Sequence, residues 1–147
     1  MRGEIEMKEF SFSVPQEIIV GKGSLARLSE AAEKLGGKHG FIISGPHLNK
    51  IGIVASCSES LENAGIKVDA YTETEGNPSV ETVEKAAAAF CKSGADFIIA
   101  LGGGSPMDVA KAVGVVARYG GSITEYEGGG RVPGDIIPLI AIPTTAG

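Results

Sequence analysis

Apolar residues along this 147-residue chain fall into short continuous runs separated by longer stretches of mixed polarity. Gly40-Phe41-Ile42-Ile43-Ser44 and Phe97-Ile98-Ile99-Ala100-Leu101 are runs of strand length, the pattern of strands buried on both faces. Ile66–Tyr71 and Ile136–Ile142 hold two further strands. Phe10-Ser11-Phe12-Ser13-Val14 alternates apolar and polar residues, as a half-exposed strand does, and Pro15 ends it. Glu17–Val20 reads as a short strand closed by Gly21-Lys22-Gly23.

Between these runs the apolar period lengthens to that of a helix. Leu25, Leu28, Ala32 and Leu35 share one face of a helix over Leu25–Leu35, capped by Ser24 and stopped by Gly36-Gly37. A helical region follows the Gly45-Pro46 turn, runs through Leu61–Ala64 and ends at Gly65. Asn77-Pro78-Ser79 opens a helix over Val80–Lys92, and Pro106–Tyr119 is another. Strands alternating with helices predict βαβ units. The fold class is therefore α/β: a doubly wound, mainly parallel sheet with helices on both faces. Ligands in that architecture bind at the carboxyl ends of strands. Three segments fall there: Ser44-Gly45-Pro46, Gly102–Ser105 and Pro143–Gly147.

The segment Phe97–Lys111, FIIALGGGSPMDVAK, carries the most chemistry. A strand runs into Gly102, Gly103 and Gly104. Ser105 is a good helix N-cap, Pro106 suits the first helical position, and Asp108 sits where a capping-box carboxylate would. Such a turn gathers free backbone N–H groups at the positive end of a helix dipole, a site for an anion and above all for phosphate. Neither G-x-G-x-x-G nor G-x-x-x-x-G-K-[ST] is present. The alternative is a tight turn whose glycines serve only conformation and packing.

Composition narrows the partners. A net charge of −5, 5% aromatic residues and no Trp argue against nucleic acid. No apolar run approaches the ~18 residues of a membrane span, and the mixed, charged start MRGEIEMKEF is not a signal peptide. Cys57 and Cys91 lie far apart without C-x-x-C spacing, as expected of reduced thiols in a cytoplasmic protein. The length suits one domain, residues 1–147.

With these motifs together, the chain resembles the amino-terminal half of the iron-containing (group III) alcohol dehydrogenases. GGGSPMDVAK at Gly102–Lys111 is similar to that family's GGGSxxDxAK signature. IPTTAG at Ile142–Gly147 resembles the opening of its PTTAGTGSE signature, and EGNPSVETV at Glu75–Val83 its NP turn before a helix. Pro15 followed by Ile19–Leu25 resembles the family's opening. The resemblance implies a Rossmann-like domain binding NADP or NAD. On it, Gly102, Gly103, Gly104 and Ser105 would hold the pyrophosphate. Thr144 and Thr145 would approach the phosphates or the nicotinamide, and Asn77 would lie near the cofactor cleft. Asp108 and Lys111 belong to the signature, with a capping carboxylate and a surface lysine as the alternatives.

Two departures from the family pattern stand out. Many NAD-using members place Asp at the end of a sheet strand, against the adenosine ribose, where this chain has Gly45. A missing carboxylate removes a repulsion from a 2′-phosphate, so Gly45 implies tolerance of NADP or preference for it. The second departure concerns the divalent metal, iron or zinc, which the family holds through one Asp and three His of a carboxy-terminal helical domain. This chain has only His39 and His47, with no spacing suited to a shared metal. The expectation is therefore the cofactor-binding part of a longer enzyme acting on a small alcohol or aldehyde, a fragment or split product without turnover alone. Homo-oligomerisation is left open, since a missing partner domain would bare apolar surface near Tyr126. Alternatives are a polyol- or sugar-phosphate dehydrogenase or dehydroquinate-synthase-like enzyme, or a free-standing nucleotide-binding module.

Overall fold

The computed structural model describes Glu17, Ile19 and residues 22–144. The expected strand at Phe10–Val14, Ile18 and Val20 of the one at Glu17–Val20, and Thr145 lie outside the described residues.

Among the described residues four strands form one sheet: β1 (His39–Ile43), β2 (Lys67–Tyr71), β3 (Phe97–Gly102) and β4 (Leu139–Pro143). Their order is β2-β1-β3-β4, and every pairing is parallel. Five α-helices of the described residues connect and cover them: α1 (Leu28–Lys34), α2 (Pro46–Lys50), α3 (Ile53–Asn63), α4 (Val80–Ser93) and α5 (Gly104–Tyr119).

Alternation along the two central strands divides the core in two. Phe41 and Ile43 of β1 and Ile98 and Ala100 of β3 pack with Val83, Phe90, Val109 and Val113 of α4 and α5. Ile42, Phe97, Ile99 and Leu101 face the other way, onto Leu28, Ala32, Val54, Cys57 and Leu61 of α1 and α3. Every residue of β3 is buried, which is why its sequence is an unbroken apolar run. The Phe41 and Phe90 rings meet edge to face, centroids 5.5 Å apart, a favoured aromatic geometry.

The same division locates the place where the chain reverses. From β1 the chain crosses one face of the sheet through α3 and reaches β2. It returns through α4 on the opposite face to β3, then moves outward through α5 to β4. The neighbouring carboxyl ends of β1 and β3 therefore carry connections that leave in opposite directions. A crevice opens at such a point, and ligands of doubly wound sheets bind there.

The first helix differs from the sequence expectation. Ser24–Arg27 is a 3-10 turn preceded by Gly23 at φ 80°, and Ser24 makes no capping bond. The α-helical part has only seven residues, so just Leu28 and Ala32 reach the core, while Leu25 and Leu35 stay exposed. The region between β1 and β2 is two helices rather than one, because Gly52 at φ 86° turns the chain between them. By contrast, Ser79 caps α4 as a side-chain acceptor for the Thr82 N–H, and Gly94 closes that helix at φ 76°, in line with the cap and stop read from sequence.

Candidate functional site

The crevice is built around the end of β3. Gly102 leaves the strand at φ 139°, a conformation that L side chains rarely adopt. Its carbonyl accepts the Thr144 N–H at 3.0 Å, which ties the exit of β4 to the turn. A Cβ on Gly102 would stand 2.9 Å from Pro106 Cγ. Gly103 is the N-cap residue of α5 in extended conformation, and its carbonyl accepts the Met107 N–H.

The helix therefore starts two residues earlier than expected. Gly104 is its first residue, and Ser105 lies inside the first turn with no side-chain cap bond. The capping-box role expected for Asp108 is likewise not seen: its side chain makes no capping bond, and the residue is exposed. The reason is conformational. Gly102 and Gly103 complete the change of direction between them, so the third glycine is free to join the helix. Pro106 fits the first turn because an N–H there would have no partner within the helix.

The N–H groups of Gly104 and Ser105 find no acceptor among the described residues. A Cβ on Gly104 would meet nothing within 4 Å. Two free donors beside open space, at the N-terminus of a 16-residue helix, fit an anionic phosphate oxygen.

The exits of the neighbouring strands are fastened to this point. Ser44, fully buried after β1, donates its hydroxyl to the Leu101 carbonyl at 2.8 Å. Ser44→Ala removes that link and leaves a buried carbonyl short of one donor, which costs about 1 kcal/mol. Thermal unfolding should register a fall of about 3 °C, and an unchanged midpoint would mean the link is dispensable.

Thr74, on the loop leaving β2, donates both its N–H (3.3 Å) and its hydroxyl (2.8 Å) to the Ser44 carbonyl. Gly45 lies next to this junction, and a Cβ there would stand 3.4 Å from the Thr74 carbonyl, an ordinary contact. Gly45 is extended at φ −99° and precedes the short α2, with Pro46 as its first residue.

Asn77 and Asp108 are brought together. Both line a cavity of about 440 Å³ between the starts of α4 and α5, over Val83, Val109 and Ala112. Asn77 holds φ 54°, a left-handed conformation that Asn tolerates better than most residues. A second cavity of about 430 Å³ shares Ser79 with the first and is lined by Pro46, Tyr71, Glu73, Glu75 and Lys85. Of these, Glu73 belongs to no sequence motif, and Glu75 enters only as the first residue of the NP-turn motif. The signal for them was the alternation Thr72-Glu73-Thr74-Glu75, in which Thr74 turns inward and the glutamates outward.

His39 and His47 do not fit a shared metal site. His39 begins β1 with Nε2 2.6 Å from Asp69 Oδ2, while His47 lies exposed on α2 beyond the other end of that strand. Among the described residues no group of three or more His, Cys, Asp or Glu is arranged to hold a metal ion, and no helix is long and apolar enough to cross a membrane.

Comparison with known proteins bears on this geometry directly. A family model described as iron-containing alcohol dehydrogenase matches residues 15–147. This chain belongs to the iron-containing alcohol dehydrogenase family. Among members, the choline dehydrogenase of Bacillus subtilis is 37% identical over 100% of this chain and 37% of its own length. The solved structure of a 1,3-propanediol oxidoreductase superposes with a TM-score of 0.91 at 31% identity, covering 95% of this chain and 37% of that one. The sulfoacetaldehyde reductase of Bifidobacterium kashiwanohense, solved in complex with NAD+, gives a TM-score of 0.86 at 31% identity over the same shares. The chain thus spans little more than a third of the length of these relatives, and the part it spans is their Rossmann-like α/β fold. The alcohol dehydrogenase branch is accordingly favoured over the polyol-phosphate and dehydroquinate-synthase-like readings.

Proposed function

We propose that this chain forms the dinucleotide-binding part of an NAD(P)-dependent alcohol dehydrogenase that works on a small alcohol or aldehyde in the cytoplasm. The observation that carries this reading is the glycine turn at the exit of β3. There the unpartnered N–H groups of Gly104 and Ser105 face open space where the sheet topology reverses. In this reading the two N–H groups and the dipole of α5 hold the pyrophosphate. Thr144, fixed to Gly102 through its own N–H, stands beside the phosphates, and Asn77 and Asp108 border the adjoining cavity.

The bound cofactor supplies the hydride acceptor or donor, and the alcohol carbon is its partner. This chain's contribution is to bind and orient the dinucleotide. Contacts to the alcohol, and the family's metal, belong in this reading to residues other than those described here. Support comes from the relatives: one is solved with NAD+ bound, and another is named an NAD-dependent methanol dehydrogenase, from Bacillus methanolicus. Calorimetric titration with NAD and, separately, with NADP tests the proposal. Saturable one-to-one binding of either dinucleotide is the expected result, and absence of binding by both overturns it.

A further inference from the structure

We infer that Glu73 and Glu75, on the loop leaving β2, set the choice between the two dinucleotides: they border the adenosine end of the cleft and disfavour a 2′-phosphate, so that NAD binds more tightly than NADP. The inference rests on the dinucleotide-binding reading above.

Three observations carry it. First, the loop is held in place. The two bonds from Thr74 to the Ser44 carbonyl, together with the Ser44 N–H bond to the Tyr71 carbonyl at 2.9 Å, fix the loop against the exit of β1. Thr74 is 5% exposed. Its neighbours Glu73 and Glu75 therefore point outward on either side of a fixed point, next to Gly45.

Second, both glutamates line the same cavity as Pro46, the residue after Gly45. The absence of a carboxylate at Gly45 is thus answered from the loop that leaves the adjacent strand. The expectation of NADP tolerance considered β1 alone, since sequence distance hides the fact that residues 73–75 lie beside residue 45.

Third, the charges in that cavity do not cancel. Glu81 is paired with Lys85 at 2.8 Å, which occupies the one cation among the described residues that line the cavity. Glu73 and Glu75 form no ion pair among the described residues. The field is felt at Tyr71 on the cavity wall. Burial pushes its phenol up, Glu73 and Glu75 push it further, and Lys85 opposes them. A phosphate monoester carries about −1.5 to −2 charges at neutral pH. Placing it beside two carboxylates costs Coulomb energy that an unphosphorylated ribose, whose hydroxyls donate to a carboxylate, does not meet.

The test is the ratio of Kd values for NADP and NAD, measured by calorimetry at low ionic strength. The native chain should bind NAD more tightly, by roughly tenfold. The double variant Glu73→Gln/Glu75→Gln should lose about that factor by binding NADP better, with NAD little changed. Glu84→Gln removes one carboxylate charge on α4 outside the cavity lining and should leave the ratio alone. Both target residues are exposed, so the variants should fold, and circular dichroism verifies it. Equal or tighter binding of NADP by the native chain overturns the inference, as does a ratio unmoved in the double variant. If neither dinucleotide binds, the dinucleotide-binding reading itself fails, a result distinct from binding without discrimination.

Discussion

Gly104→Val leaves the fold intact and raises the Kd for a dinucleotide about a hundredfold. The two halves of that expectation come from different features of one residue. A Cβ at Gly104 would meet nothing within 4 Å, and the residue is already helical. A Cβ there clashes with nothing, and the loss of glycine's freedom in the unfolded chain is mildly favourable. The midpoint of thermal unfolding should move by less than about 2 °C.

Binding is another matter. The open space beside Gly104 is the space through which a phosphate must approach the N–H groups of Gly104 and Ser105. An isopropyl group fills it. Two hydrogen bonds to a charged acceptor are worth about 1.5–3 kcal/mol each, and losing about 3 kcal/mol is a hundredfold in Kd. Dinucleotide affinity and thermal midpoint, measured side by side, decide the matter. Unchanged affinity in a folded Gly104→Val variant would mean that the glycine turn does not hold the cofactor.

Gly102→Ala has the opposite profile, although the two positions are separated only by Gly103. Gly102 is buried at φ 139°. Its added Cβ would stand 2.9 Å from Pro106 Cγ and 3.4 Å from Leu48 Cδ1. Pro106 is buried in the first turn of α5 and cannot swing aside as a flexible side chain would. Backbone strain of about 1–3 kcal/mol adds to an overpacking cost of similar size. The expected destabilisation is about 3 kcal/mol, a fall of roughly 10 °C in the melting midpoint of a chain this long. Circular dichroism measures it, and a fall smaller than about 2 °C would show that the turn relaxes without cost. A shifted turn would also displace the carbonyl that receives the Thr144 N–H, so cofactor affinity should weaken along with stability. Comparing the two variants separates a glycine required by the fold from a glycine required by the ligand.

That separation was not legible in GGG as a string. The motif announced a strand, a turn and a helix with free N–H groups, and all three are present. It also suggested Ser105 as the cap. The structure assigns that position to Gly103 instead, because two glycines suffice to turn the chain and the third continues into the helix. Local propensity cannot count how many residues a turn will use, since the position of the helix is fixed by the packing of Val109 and Val113 on the sheet.

The strands and long helices were legible for a simple reason. β3 and all of β1 after His39 are buried, so these stretches are apolar without interruption, and α4 carries its cap and its stop in Ser79 and Gly94. The first helix was overextended because an apolar stripe records which residues suit a core, not how much of the helix the core can reach; Leu25 and Leu35 match the stripe and remain exposed. The family signatures placed Gly45, Asn77 and Thr144 at strand exits or at a helix start. What they could not supply was distance. That Thr74 reaches across 30 positions to the Ser44 carbonyl, bringing Glu73 and Glu75 beside Gly45, depends on strands β1 and β2 being neighbours in register. A sequence states periodicity, caps and turn chemistry because those are local. Which charges share a cavity follows from the order of strands in the sheet, and only the packed structure decides that.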